Sequence, residues 1–294
     1  MKRLLLGLAL SVACTQVVLA QTLGLNPTLT ASPTIPSPAD TVQLHLVDQT
    51  GYAAKVDSSS MTISGYTIEI DAEITLSTFD VMLYYSIDEQ LPALPEGRYT
   101  IRYVAQVRQY TPDYSPPTLI RVWEFVVLGP NKTVAAIEYY YSHLDHYFIT
   151  ADTTEINALD LGVFPGWMRT GQTFSVVTAS ALGAGFGPVC RFYGKPEKGL
   201  DSHFYSASPD ECAGVLAKWP DAWILESSNV FQSDLPDLTT GICPVNLLPI
   251  YRLYNNRPDV NHRYTTSLAL RVQMISTGWV PEGYGANAVA MCAP

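Results

Sequence analysis

A chain of 294 residues, 47% hydrophobic and only 15% charged, can bury a substantial apolar core and exceeds one typical domain, so two domains are expected. Its 18 Tyr and 21 Pro suit a β-rich protein and count against a helical bundle or a disordered chain. The formal net charge of −10, with no Lys/Arg run to offset it, repels phosphate backbones and disfavours nucleic acid as a partner.

Residues 1–20 read as an export signal. Lys2 and Arg3 form the positive start, Leu4 to Val12 the apolar stretch and Val18-Leu19-Ala20 the cleavage site. A lipoprotein signal acylated at Cys14 is the alternative, resting on Ser11-Val12-Ala13-Cys14, which lacks the expected Leu. No later stretch approaches the ~20 consecutive apolar residues of a transmembrane segment. The expected address is secreted or periplasmic, with an outer-membrane lipoprotein second. Residues 21–40, with Pro27, Pro33, Pro36 and Pro38 among Ser and Thr, read as a linker or an extended arm along an edge.

From 41 to 130 the chain offers period-2 runs at Val42 to Val47, Met61 to Ile70, Val81 to Ser86, Tyr99 to Val107 and Leu119 to Val127, the pattern of half-buried strands. Strands at this density, separated by turns such as Leu94-Pro95-Glu96-Gly97, predict an antiparallel β-sandwich. Leu94 to Ile101 resembles a hairpin of bacterial immunoglobulin-like or fibronectin-like domains, which implies the same fold and carries no function.

Residues 134–294 contain an internal repeat, at about 134–182, 187–238 and 247–294. Glu138-Tyr139-Tyr140-Tyr141, Cys190-Arg191-Phe192-Tyr193 and Tyr251-Arg252-Leu253-Tyr254 match as first strands. The segments starting at His146, His203 and His262 match as second strands, and the evenly spaced Trp167, Trp223 and Trp279 mark third strands. A short helix is expected between the last two. Asp152-Thr153-Thr154-Glu155 and Ser208-Pro209-Asp210-Glu211 pair an N-cap with a Glu three residues on, whereas the third helix, from Ser267, lacks the Glu. Three such units are too few for an open solenoid and predict closure around a pseudo-three-fold axis, β-trefoil-like first and three-bladed propeller-like second, within a mainly β chain.

The motifs at Tyr251 to Asn255, Asn261 to Thr266 and Gly278 to Gly283 resemble a secreted repeat domain of unknown function often appended to bacterial and fungal hydrolases. The resemblance implies an exported accessory or binding module. The first repeat departs most, with Glu138-Tyr139 in place of Tyr-Arg and Arg169-Thr170-Gly171 after its Trp.

Four cysteines, Cys190, Cys212, Cys243 and Cys292, follow the signal, an even number that suits disulfides in an oxidising compartment. Sequence alone does not choose among the pairings. Cys190 with Cys212 and Cys243 with Cys292 is favoured, since each pair lies within or brackets one repeat. The rival zinc site lacks C-x₂-C spacing.

His146, His203 and His262 open the three second strands; the favoured reading is that each caps a turn or bonds a neighbouring backbone and recurs because the unit was duplicated, and the alternative is that each lines its own shallow ligand pocket. A shared metal is the weaker alternative; His143-x-Asp145-His146 offers three ligands, but the acid is not kept in all the repeats, and a solvated turn explains it better. Tyr147, Tyr205 and Tyr264 follow in the same strands, and flat rings beside polar side chains suit sugars, although most such rings should be core. Glu226 and Glu282 after two of the Trp residues read as structural. No nucleophile elbow, zinc-protease helix or phosphate loop is present in the sequence. The expected function is therefore non-catalytic recognition of a glycan or cell-surface polymer, with no cofactor. The alternatives are a protein-binding adhesin or inhibitor, contacting its partner through loops such as Lys195 to Asp201 or Asn255 to Val260, and then a hydrolase with two carboxylates in a pocket near a repeat junction.

Overall fold

The computed structural model describes residues 25–50, 52–77, 83–181 and 185–294. The signal at 1–20 and the acylation reading of Cys14 lie outside the described residues. The chain divides between Leu128 and Gly129 into two compact units. Among the described residues it is mainly β, 51% strand with three short α-helices.

The N-terminal unit holds β1 (Thr28–Ser32), β2 (Val42–Thr50), β3 (Ala53–Ser64), β4 (Thr67–Ser77), β5 (Leu83–Leu91), β6 (Gly97–Gln109) and β7 (Thr118–Val127). They form a three-stranded sheet, β1-β2-β5, and a four-stranded sheet, β3-β4-β6-β7. Alternation buries Val42, Leu44 and Leu46 on β2 and Ile68, Ile70 and Ile74 on β4, as expected where one face of a sheet is dry. Tyr85 on β5 joins the sheets: its hydroxyl lies 3.0 Å from that of Tyr103 on β6 and donates to buried Asp48 on β2.

Three expectations for this unit change. The Pro-rich arm is partly a strand, because β1 pairs with β2 along its whole length. Met61 to Ile70 is a hairpin, since Gly65 takes a left-handed φ of 58° between β3 and β4, a turn geometry that glycine adopts without strain. The sheet is not wholly antiparallel, because β4 and β6 run parallel from Thr67↔Thr100 onward. Between them β5 pairs with β2 in the other sheet, so the chain returns to β4 in the same direction.

The C-terminal unit repeats one pattern three times. The first copy is β8 (Thr133–Tyr141), β9 (His146–Thr150), α1 (Thr153–Asp160) and β10 (Trp167–Val177), followed by the short β11 (Gly187–Pro188). The second is β12 (Cys190–Gly194), β13 (Ser202–Ser206), α2 (Pro209–Lys218) and β14 (Trp223–Ser227), followed by β15 (Gln232–Ser233). The third is β16 (Leu248–Tyr254), β17 (His262–Thr265), α3 (Leu268–Ser276) and β18 (Val280–Glu282), and β19 (Val289–Ala293) closes the chain. In each copy the first strand sits between the second and the Trp strand. The second strands β9, β13 and β17 touch one another. Around them Tyr139, Tyr205, Tyr264, Phe231, Ile250 and Met291 form one buried core.

Each helix starts as the sequence predicts. Asp152, Ser208 and Ser267 accept from the backbone N–H three residues on, satisfying donors that a helix leaves open. The disulfides are Cys190–Cys212 and Cys243–Cys292.

Candidate functional site: clefts at the repeat junctions

Strand pairing fixes which residues of the three copies correspond. Thr150, Ser206 and Thr265 each accept the backbone N–H of the following N-cap residue, at 3.0, 3.0 and 3.1 Å. They lie opposite Ile137, Cys190 and Tyr251. Counting back along the strands, His203 and His262 correspond to Tyr147, and His146 corresponds to Ser202 and Asn261. The three histidines therefore do not share one position: His146 is a residue out of register, and one residue along a strand is the opposite face.

The His146 row faces inward and ties the copies together. His146 is 1% exposed, with Nδ1 2.9 Å from the Asp201 carbonyl oxygen and Nε2 3.1 Å from an Asp259 carboxylate oxygen. Ser202 donates its hydroxyl to the Val260 carbonyl. The Asn261 side chain accepts from the Tyr147 N–H at 2.9 Å and donates to the Tyr147 carbonyl at 3.2 Å. Tyr205 and Tyr264 are also core: the Tyr264 hydroxyl donates to the Tyr205 carbonyl, and the Tyr205 hydroxyl donates to the Ile149 carbonyl. Of the six sequence candidates, His146, Tyr205 and Tyr264 thus serve the interior. Asp145, beside His146 in sequence, bonds Tyr140 and Arg257 instead.

His203, His262 and Tyr147 line three separate clefts, each between consecutive copies. The cleft between the second and third copies, about 600 Å³, sets Phe204, Trp219 and Trp223 against Arg252, His262 and Glu282. Its charged wall is a closed network. Arg252 gives its two terminal nitrogens to Glu211 at 2.7 and 2.9 Å, its Nε lies 3.0 Å from Glu282, and His262 Nε2 lies 3.3 Å from the same Glu282 oxygen. The cleft between the first and second copies, about 340 Å³, repeats this with Phe148, Phe164 and Trp167 facing Arg191, His203 and Glu226. Arg191 bonds Glu155 at 2.6 and 2.9 Å, its Nε lies 2.8 Å from Glu226, and His203 Nε2 lies 3.3 Å from Glu226. In both clefts the guanidinium lies over the Phe ring, 5.6 Å from Phe148 and 4.9 Å from Phe204.

Three carboxylates of these walls, Glu211, Glu226 and Glu282, are held ionised. Burial pushes Glu211, Glu226 and Glu282 up, but Arg252 on Glu211, His203 and Arg191 on Glu226, and His262 and Arg252 on Glu282 outweigh it, leaving all three below the ordinary carboxylate value. Burial lowers His262 below the usual imidazole value against the opposing pull of Glu282, so its ring is neutral at pH 7.

The third junction is built from different residues. Arg263 stands where the other copies have Phe148 and Phe204, and Glu138 stands where they have Arg191 and Arg252. The two form a buried bidentate pair at 2.8 and 2.9 Å, with the guanidinium 4.0 Å above Tyr147. Thr170 replaces the strand Glu and donates to Glu138 at 2.7 Å, and Leu270 replaces the helix Glu. The exposed aromatics Phe164 and Trp219 lie just ahead of Trp167 and Trp223. The third copy has Thr277 and Gly278 ahead of Trp279.

Four residues of the walls were legible only as something else. Glu155 and Glu211 read as capping glutamates, yet their carboxylates bond Thr150 and Ser206 and reach the Arg of the next copy. Arg191 and Arg252 served as repeat markers. Their shared signal is an Arg in the first strand of one copy following a Glu at the third helical position of the copy before.

The sequence model of the family described as Domain of unknown function (DUF5648) matches residues 135–289. No curated protein and no solved structure matches the chain.

Proposed function

The chain belongs to the DUF5648 family, and from that premise we propose that it is an exported, non-catalytic recognition protein whose C-terminal unit binds a glycan or related surface polymer in two of its three junction clefts. The observation carrying this reading is the duplicated constellation: an exposed aromatic at the mouth, a half-buried Trp and a buried Phe inside, and a Glu–Arg–Glu–His wall opposite. Flat rings beside fixed hydrogen-bonding groups are what an uncharged ring with many hydroxyls needs, and recognition sites favour such amphipathic aromatics. Two similar sites on one unit suit a repeating polymer, since the second contact is intramolecular once the first has formed. Two disulfides suit the oxidising space outside the cytosol. We read the N-terminal unit as a sandwich-like spacer and the C-terminal sheets as three blades, because a trefoil barrel needs a closed sheet.

A hydrolase would also place two carboxylates in such a cleft. A general acid must be held protonated near neutrality, whereas Glu211, Glu226 and Glu282 are all pulled the other way, which favours binding over turnover.

Phe164 and Trp219 are 54% and 52% exposed, so replacing either with Ala leaves the fold intact. Calorimetric titration with hexasaccharides of β-1,4-linked glucose, N-acetylglucosamine and glucosamine should give two sites per chain. F164A and W219A should each weaken one site by about tenfold, the loss of one aromatic contact. Binding unchanged in the double variant, or no binding by any of the three, would overturn the reading.

A further inference from the structure

Resting on that reading, we infer that the two clefts select saccharides carrying free amines and reject those carrying carboxylates. The reason lies in which hydrogen-bonding groups remain available. In the cleft between the second and third copies, both terminal nitrogens of Arg252 face Glu211 and its Nε faces Glu282. His262 Nε2 faces Glu282 as well. The same holds for Arg191 with Glu155 and Glu226, and for His203 with Glu226. Both terminal nitrogens of each guanidinium are thus hydrogen-bonded to one protein carboxylate, and its Nε is buried and ion-paired with a second without a hydrogen bond, so the cationic side chain that would ordinarily hold an anionic ligand is already neutralised and out of reach.

What each wall has left is an acceptor. Glu226 and Glu282 use Oε2 for these contacts, while their side chains keep 30% and 34% of their surface exposed. Each cleft also has more acid than base. Glu155, Asp201 and Glu226 line one cleft with the single guanidinium of Arg191, and Asp210, Glu211 and Glu282 outnumber Arg252 and Lys218 in the other. An ionised carboxylate beside indole and phenyl faces is attractive to an ammonium twice over, through Coulomb attraction and through the ring quadrupoles. A hydroxyl satisfies only the acceptor, and a uronate carboxylate is repelled by the wall. The flat rings of Trp167 and Trp223 favour a pyranose carrying the amine over a flexible lysine chain.

The test is competition calorimetry on the full chain at pH 6, with β-1,4-linked glucosamine, N-acetylglucosamine and galacturonate hexasaccharides and with hexalysine. The glucosamine oligomer should bind about fivefold tighter than its acetylated counterpart, the scale of one partly screened charge contact. This advantage should shrink as salt rises. In E226Q/E282Q, which keeps side-chain volume, the ratio of glucosamine-oligomer to acetylated-oligomer affinity should fall to about one; the salt dependence of the unmodified chain provides an independent measure should that variant fold poorly. Tighter binding of the galacturonate oligomer or of hexalysine, or an amine preference that persists in the folded double variant, would overturn the inference while leaving the clefts as binding sites. No binding by any of the saccharides would instead overturn the glycan reading on which it rests.

Discussion

At the scale of single residues, Asp48 shows how burial and bonding compete over a carboxyl group. It is fully buried, accepting from the Asn26 N–H and the Tyr85 hydroxyl. Burial raises its pKa, and those donors, the Gln49 backbone N–H and Arg121 offset the rise only in part. A carboxyl raised in the folded state holds its proton more tightly there than in the unfolded chain, so its contribution to stability is greatest at low pH and is lost as pH rises from the unfolded value through the folded one. Asp48→Asn can keep both contacts, accepting from Asn26 and donating to Tyr85. Thermal unfolding should place D48N a few degrees above the unmodified chain at pH 7, with the difference closing near pH 3.5. A lower melting temperature at pH 7 would contradict the burial argument. Glu211, Glu226 and Glu282 have the opposite sign: their contribution is present above the ordinary carboxylate range and lost as pH falls through their lowered values.

At the scale of elements, one position in the repeat is filled by three chemistries. The first strand and the second turn of the helix meet through Cys190–Cys212 in the second copy. The equivalent residues in the third copy are Tyr251 and Arg271, with the guanidinium 5.4 Å from the ring centre, and the sequence places Ile137 and Ile156 at these positions of the first copy. A disulfide in one copy, a cation–π contact in another and two aliphatic residues in the first thus occupy the place where the helix meets its sheet. α2 carries Glu211 and leads into Trp219, so its staple positions half of the larger cleft. C190S/C212S should cost about 3 kcal/mol in urea unfolding, the chain-entropy value for a loop of this length. It should weaken binding at the cleft between the second and third copies more than at the other. A cost below about 0.5 kcal/mol would show that helix packing alone suffices.

At the scale of the whole molecule, the chain divides at Leu128 and Gly129, and every residue of both clefts belongs to the C-terminal unit. A fragment of residues 129–294 should therefore fold alone, retain both disulfides and bind the hexasaccharides with the affinity of the full chain. Circular dichroism and titration of the fragment would check this. Loss of binding in a folded fragment would assign the first unit a direct part in recognition. Domains with their own cores ordinarily behave as such separable bodies.

Much of this was written locally. Alternation along single strands announces a dry face, and a Ser or Asp before a helix announces its cap. These depend on neighbours in sequence, so the sequence determined the β-rich class, the three copies and the helix starts, and favoured the cysteine pairing that the structure shows. Register was different. A histidine at 146 and one at 203 look equivalent in a string, yet one residue of slip sends them to opposite faces, and only the pairing of β8 with β9 against that of β12 with β13 reveals the slip. The clefts needed more still: Glu155 and Arg191, or Glu211 and Arg252, come from different copies and meet only when the copies close on one another. Tertiary structure decided which imidazoles face a cleft, and that the third junction, with its Glu138–Arg263 pair, differs from the other two. Such choices arise from contacts between residues far apart in the chain, which no local pattern encodes.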